Sequence, residues 1–82
     1  MIWMKIVEID VRLPCNKRGA LLKMLSSKLR GKIKEAHLYP PDSRGFSEVL
    51  IEVETDEDPS SIMSELRRIL HGVPFKIKVM QA

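Results

Sequence analysis

The amino-acid sequence predicts an α+β domain with four strands and two helices in the order β-α-β-β-α-β. Three segments alternate apolar and charged residues with a period of two, which is typical of half-buried strands, and a fourth does so more weakly. Two further segments repeat apolar residues at intervals near four, which is typical of helices. Gly and Pro residues mark the boundaries between these segments.

The first strand is predicted over residues 2–13 and the first helix over residues 17–30. The apolar face of the strand is formed by Val7, Ile9, Val11 and Leu13, and the charged face by Glu8, Asp10 and Arg12. The apolar positions of the helix are Ala20 or Leu21, Leu25 and Leu29. Gly31 follows this helix, where a left-handed C-terminal cap is expected.

The second half of the chain repeats the pattern after a hairpin. A weaker strand over residues 32–40 ends at two prolines, and a clear strand is predicted over residues 46–55. The second helix opens with Asp58 as its cap and Pro59 in its first turn, and it stops at Gly72. The last strand is predicted over residues 73–81. The apolar positions of these elements are Val49, Ile51, Val53, Ile62, Leu66, Ile69, Leu70, Phe75, Ile77 and Val79.

This element order predicts one domain over residues 1–82 with the ferredoxin-like arrangement. Right-handed crossovers place the strands in the antiparallel order 4-1-3-2, with both helices on one face of the sheet. The other face then carries charged side chains from the first, third and fourth strands and His37 with Tyr39 from the second, and lysines stand beside carboxylates on neighbouring strands. Because the central strands are acidic there, stacking of nucleic-acid bases on this face is disfavoured.

The composition is that of a folded domain, with 44% hydrophobic residues, 30% charged residues and a net charge of +3. The longest apolar runs are too short to cross a bilayer, so no membrane association is expected. The single cysteine, Cys15, excludes an internal disulfide and favours a reducing compartment. We therefore expect a cytoplasmic protein.

The beginning of the first strand predicts self-association. Ile2, Met4 and Ile6 share the phase that carries charge further along the strand, so both faces are apolar there. Leu50 and Phe46 are expected as neighbours of this patch. A chain this small also gains from oligomerisation, and a homo-oligomer is therefore expected.

Residues with reactive side chains are few, and none predicts an enzyme. Cys15 stands just before a helix, but neither His37 nor His71 is placed beside it as a base. One thiol is too few for a soft metal ion, and the turn after the first strand has a single glycine instead of a phosphate-binding run. No cofactor or metal is expected. The basic residues of the helical side leave open a nucleic-acid-associated module as an alternative function, although a nucleic-acid partner is not favoured.

Residues 16–29, NKRGALLKMLSSKL, resemble the first loop and helix of ACT domains. The family pattern has Asp or Asn, Arg, Pro and Gly, followed two residues later by Leu. Asn16, Gly19 and Leu21 match it, whereas Lys17 replaces the Arg and Arg18 replaces the Pro. The family also often carries an Asn in the turn before the second strand, which is absent from GKIK here.

The resemblance implies a stand-alone regulatory domain that pairs with a copy of itself as a homodimer and binds an amino acid. Asn16, Arg18, Gly19 and Ala20 would then line the ligand. A glycine at a helix start exposes backbone N–H groups that favour a carboxylate, and Arg18 can pair with it through its planar guanidinium. The alternative is structural: Asn16 would be a simple N-cap, and Gly19 a first-turn residue without a special role.

Overall fold

The six predicted elements are all present in the computed structural model, which describes residues 4–81. The strands are β1 (Lys5–Pro14), β2 (Lys32–Leu38), β3 (Phe46–Thr55) and β4 (Phe75–Gln81), and the helices are α1 (Arg18–Lys28) and α2 (Pro59–Ile69). A short 3₁₀ turn, Cys15–Lys17, connects β1 to α1. Most boundaries lie within two or three residues of the predicted ones.

The strands form one antiparallel sheet in the order β2-β3-β1-β4, which confirms the predicted topology. β1 lies inside the sheet, where Ile9 is opposite Ile51 of β3 and Ile77 of β4. β2 contains an irregularity between Ile33 and Glu35, so Lys34 is an extra residue in that edge strand. No helix within residues 4–81 is long and apolar enough to cross a membrane.

Both helices pack on the same face of the sheet and enclose one apolar core. In β1 and β3 the period-two alternation predicted from the sequence places every second side chain in this core. Leu25 of α1 and Leu66 of α2 are almost completely buried against it. The buried apolar residues are Val7, Ile9, Val11, Leu13, Leu21, Leu25, Leu29, Val49, Ile51, Val53, Ile62, Leu66 and Leu70.

The two ends of α1 differ from their predictions. Lys17 is the N-cap residue and no side chain caps the helix, so the interpretation of Asn16 as an N-cap is wrong. At the other end, Leu29 already has extended backbone, and Gly31 is not a left-handed cap of the helix. Gly31 instead has φ +138°, at the point where the chain enters β2 against Thr55. A glycine is required at this position because the chain passes close to β3, and not because the helix ends there.

The start of α2 agrees with its prediction. Asp58 is the N-cap residue and Pro59 occupies the first turn. The Asp58 carboxylate accepts a hydrogen bond from the hydroxyl of Ser60, while the Asp58 backbone carbonyl accepts the N–H groups of Ser61 and Ile62 at 3.0 and 3.1 Å. The helix therefore begins at the predicted position, although the carboxylate does not cap a backbone N–H.

Asp42 organises the loop between β2 and β3. Its carboxylate accepts hydrogen bonds from the backbone N–H of Phe46 at 3.0 Å and of Arg44 at 2.9 Å, and it pairs with Arg12 of β1. The hydrogen bond from Phe46 is the main cause that holds the pKa of Asp42 below its ordinary value, and Arg44 and Arg12 lower it further. The loop is thereby tied to the end of β1.

We expect the contribution of Asp42 to stability to depend on pH. A lowered pKa in the folded state means that the carboxylate stabilises the fold above its ordinary pKa of 3.8 and loses this effect as pH falls through the lowered value. Thermal melts of the protein and of Asp42→Asn should therefore differ at neutral pH and converge only as the pH falls below 3.8 and through the lowered pKa of Asp42. A difference in melting temperature that stays constant from neutral to acidic pH would contradict this role.

The open face of the sheet is charged, as predicted. Glu8 lies opposite Lys78, and Asp10 lies opposite Lys76, so β1 and β4 present complementary charges. On its other side, Glu8 lies opposite Glu52 of β3. The face is therefore acidic over the central strands and basic along the β4 edge.

The apolar patch predicted at the start of this face is described only in part. Met4 is exposed and Ile6 is half-buried, whereas Ile2 lies outside the described residues. Ile6 is opposite Met80 on β4. Leu50 and Phe46 were expected beside this patch, but Leu50 is opposite Asp10 and Phe46 is opposite Pro14. That expectation is wrong because the antiparallel register carries both residues toward the other end of β1.

Candidate ligand-binding turn and helical face

The turn between β1 and α1 is anchored at its first residue. Pro14 ends the strand, and the backbone N–H of Cys15 donates to the carbonyl of Gly45 at 2.9 Å, in the β2–β3 loop. Because this bond joins two loops at one end of the sheet, the position of the turn is determined by the fold around it. Asn16 and Lys17 complete the 3₁₀ turn and are exposed.

Arg18 connects the start of α1 to the end of β2. Its Nε donates to the carbonyl of Cys15 at 3.1 Å, and one terminal nitrogen donates to the carbonyl of Tyr39 at 3.4 Å. Since β3 lies between β1 and β2, the Arg18 side chain crosses the start of β3. A guanidinium carries five N–H donors, so Arg18 can also donate to a planar anion while it keeps these bonds.

A buried polar group lies near the start of β3. Ser47 is the second residue of β3, and its side chain is on the helical side of the sheet, as are those of Val49 and Ile51. Ser47 is 1% exposed, and its hydroxyl has no hydrogen-bond partner among residues 4–81. A buried hydroxyl without a partner costs about 1–3 kcal/mol of stability.

Gly19 is open to its surroundings. Apart from its chain neighbours and the backbone of its own helix, no heavy atom of the described residues lies within 4 Å of the position that a Cβ would occupy. Gly19 is the second residue of α1, and positive φ is confined to other glycines in the described part of the chain. Neither packing nor backbone conformation therefore requires glycine at this position, and its effect is to leave the backbone of the first turn accessible.

The four residues predicted to line a ligand do not all face one site. Residues two apart on a helix differ by about 200° in direction, so Arg18 and Ala20 project to different sides of α1. Arg18 reaches toward β2, whereas Ala20 lines a groove toward α2 together with Leu21 and Met24. Asn16, in the 3₁₀ turn, and Gly19 are both exposed.

The groove between the helices was not predicted from the sequence. It lies between α1 and α2 and consists of two adjoining sections with volumes of about 380 and 230 Å³. Met24 and Ile69 line both sections. The residue that could have indicated this groove is Met24, an apolar residue of α1 outside the stripe formed by Leu21, Leu25 and Leu29.

The reactive side chains lie apart from one another. Cys15 is half-buried after the last residue of β1, whereas His37 is exposed on β2 with its Nε2 3.3 Å from Glu35. His71 is exposed just beyond α2. Within the described ranges, no group of three or more Cys, His, Asp or Glu residues could hold a metal ion.

Comparisons with known proteins address the fold. No model of a known protein family matches the sequence, and no curated protein matches it. The de novo designed protein Foldit4 is 20% identical, with a TM-score of 0.61 over 96% of this chain and 98% of its own. A formyltetrahydrofolate deformylase from Pseudomonas putida KT2440 is 16% identical, with a TM-score of 0.65 over 92% of this chain. This chain spans only 28% of that deformylase. Identities this low establish the fold alone.

Proposed function

We propose that this protein is a non-enzymatic regulatory domain of the ACT type, which binds an amino acid at the turn between β1 and α1. The observation that carries the proposal is the pairing of Gly19, whose backbone is open, with the Arg18 guanidinium in the first turn of one helix. The positive end of the helix dipole and the Arg18 charge both favour a carboxylate at this position.

The local geometry supports a polar ligand in two further ways. The side chain of Asn16 is exposed at the same turn, and an amide can bond both the amine and the carboxylate of an amino acid. The buried hydroxyl of Ser47, near the start of β3, has no hydrogen-bond partner among the described residues. Because Ala20 faces the groove, we assign it a place at the margin of the site and not beside the ligand carboxylate.

The structural comparison is compatible with an accessory role. In the deformylase, the part that aligns with this chain is 28% of a longer protein. A small domain of this fold thus occurs joined to other segments of an enzyme. The ACT assignment itself depends on the resemblance of residues 16–29, and we retain a cytoplasmic location and a homodimer as parts of the proposal.

Addition of the cognate amino acid is expected to raise the melting temperature. A ligand that binds only the folded state stabilises it by about 2.7 kcal/mol at a concentration one hundred times its Kd. The measurement is a thermal-shift series with each of the twenty amino acids added singly at neutral pH. Light scattering on the same preparation should give a mass above the 9.4 kDa of one chain.

The control variant for this series is Lys23→Ala, on the exposed side of the same helix, which should keep the full thermal shift. Arg18→Lys keeps the charge but loses the planar fork, and it should bind at least about tenfold more weakly. A flat response to all twenty amino acids would exclude amino-acid binding. A mass of one chain at micromolar concentration would exclude the homodimer.

A further inference from the structure

The groove between α1 and α2 exposes an apolar floor that the fold leaves uncovered among the described residues. Met24 is 38% exposed, Ile69 and Val73 are half-buried, and Ala20 is exposed at one end. Leu21, Leu70 and Leu13 close the floor beneath them. The strip runs along the helices instead of forming an enclosed pocket, so its shape suits an elongated partner more than a compact small molecule.

The rim of the groove is basic. Lys17 stands at one end and Lys28 at the other, both on the α1 side, and Arg68 stands on the α2 side. Arg68 forms an ion pair with Glu65. Within residues 4–81, neither Lys17 nor Lys28 forms an ion pair. Glu65 is the single carboxylate on the rim, and it is already paired with Arg68.

The charge of the surrounding surface extends this pattern. α1 carries the cations Arg18, Lys23 and Lys28 and no carboxylate along its whole length. The acidic side chains of the sheet are on the opposite face of the molecule, as the register of Glu8 and Glu52 shows. The helical face therefore attracts a negatively charged partner, and the two lysines can pair without breaking an existing ion pair.

We propose that the groove binds an acidic amphipathic helix of a partner protein. Apolar side chains spaced by three or four residues would lie against Met24 and Ile69, and flanking carboxylates would pair with Lys17, Lys28 and Arg68. A partner helix of about 12 residues is about 18 Å long, close to the length of α1 itself. This surface is distinct from the amino-acid site, and the proposal does not depend on ligand binding there.

The chemistry of the groove favours a helix over the two other occupants. A nucleic acid would use the cations but would leave Met24, Ile69 and Val73 without a partner, and the described residues that line the groove include no aromatic side chain for base stacking. A second copy of this helical face would bring like charges together, because α1 is basic throughout. An acidic amphipathic helix would bury its apolar side chains against the floor and pair its carboxylates with the basic rim.

The test uses a fluorescein-labelled synthetic peptide of about 14 residues, long enough to span the groove. One face carries Leu at helical spacing, and Glu residues flank it. Fluorescence anisotropy should show saturable binding that weakens with added salt. Met24→Glu should abolish binding, and the double variant Lys28→Glu/Arg68→Glu should weaken it at least about tenfold.

The matched control is Lys76→Glu/Lys78→Glu, which makes the same change in charge on the open sheet face. It should change the affinity less than about twofold. Circular-dichroism melts report whether each variant is folded. If Lys28→Glu/Arg68→Glu does not fold, Lys28→Ala is used in its place.

Four outcomes would overturn the proposal. The first is no saturable binding of the acidic peptide, and the second is equal binding of a peptide with Lys in place of Glu or of a scrambled one. The third is displacement of the peptide by a single-stranded RNA oligonucleotide that binds the protein more tightly than the peptide does and is weakened by the same substitutions. This result would assign the groove to nucleic acid. The fourth is conversion of an oligomer to a monomer by Met24→Glu, which would assign the groove to a second copy.

Discussion

Gly31→Ala is expected to lower the free energy of unfolding by at least about 3 kcal/mol, since both the backbone conformation and the packing at this position oppose a side chain. With φ +138°, Gly31 is in a region that residues with a Cβ rarely adopt. A Cβ would also lie 2.6 Å from the carbonyl oxygen of Glu54 and 2.9 Å from the Cβ of Thr55. The measurement is urea denaturation followed by circular dichroism.

The surroundings of Gly31 cannot move aside easily. The Glu54 oxygen belongs to the backbone of β3, and Thr55 is 1% exposed. The Thr55 hydroxyl donates to the carbonyl of Arg30 at 2.7 Å and accepts the N–H of Glu57 at 3.1 Å. A displacement of Thr55 would therefore disturb both the entry to β2 and the exit from β3.

Gly19→Ala is the matched control for this substitution. Gly19 is helical, and apart from its chain neighbours and the backbone of its own helix, a Cβ there would meet no described atom within 4 Å. Alanine should therefore leave stability unchanged or raise it by up to about 1 kcal/mol, because alanine is the better helix former. Equal destabilisation by Gly19→Ala and Gly31→Ala would show that the close contact with β3 is not the cause.

Ile9→Ala is expected to lower the free energy of unfolding by about 4 kcal/mol. Ile9 is 0% exposed at the centre of the sheet, between Ile51 and Ile77. Truncation removes buried apolar contacts and leaves a cavity that the surrounding strands cannot close. Because a domain of this size has a total stability on the order of 5–10 kcal/mol, the variant should lose roughly half of it and should unfold at a much lower denaturant concentration.

The control for Ile9→Ala is Leu38→Ala on the edge strand β2. Leu38 is 48% exposed, so its truncation removes little buried area and should cost less than about 1 kcal/mol. Equilibrium denaturation of both variants gives the comparison. Similar losses for the two substitutions would indicate that the buried centre of the sheet contributes no more to stability than its edge.

The fold was predictable because local patterns and global packing agree in this chain. The alternation in β1 and β3 specified which side chains enter the core, and Asp58 with Pro59 located the start of α2. The position of the candidate turn in the chain was predictable, because the sequence around Gly19 resembles the first loop and helix of a known family. How its residues are oriented was not predictable, because Arg18 reaches the carbonyl of Tyr39, twenty-one residues away in sequence.

The helix termini show where local reasoning is insufficient. Asn16 is a residue type that often caps helices, but the chain forms a 3₁₀ turn there and Lys17 becomes the N-cap residue. Gly31 was expected to terminate α1, yet the helix ends earlier and the glycine accommodates β3. In both cases contacts between distant segments outweighed the local preference of the residue.

By itself, the sequence determined the element order, the strand order and most of the core, because the period of the apolar residues specifies each element and right-handed crossovers restrict the topology. The exception in the last strand is Val79, which is 40% exposed. Only the tertiary structure decided which surfaces remain for binding. The contact of Arg18 with the end of β2 and the groove beside Met24 depend on how α1 is packed in the fold. The burial of the Ser47 hydroxyl, which has no partner among residues 4–81, likewise depends on tertiary packing. Such placements arise from contacts between residues far apart in the chain, which a local pattern does not encode.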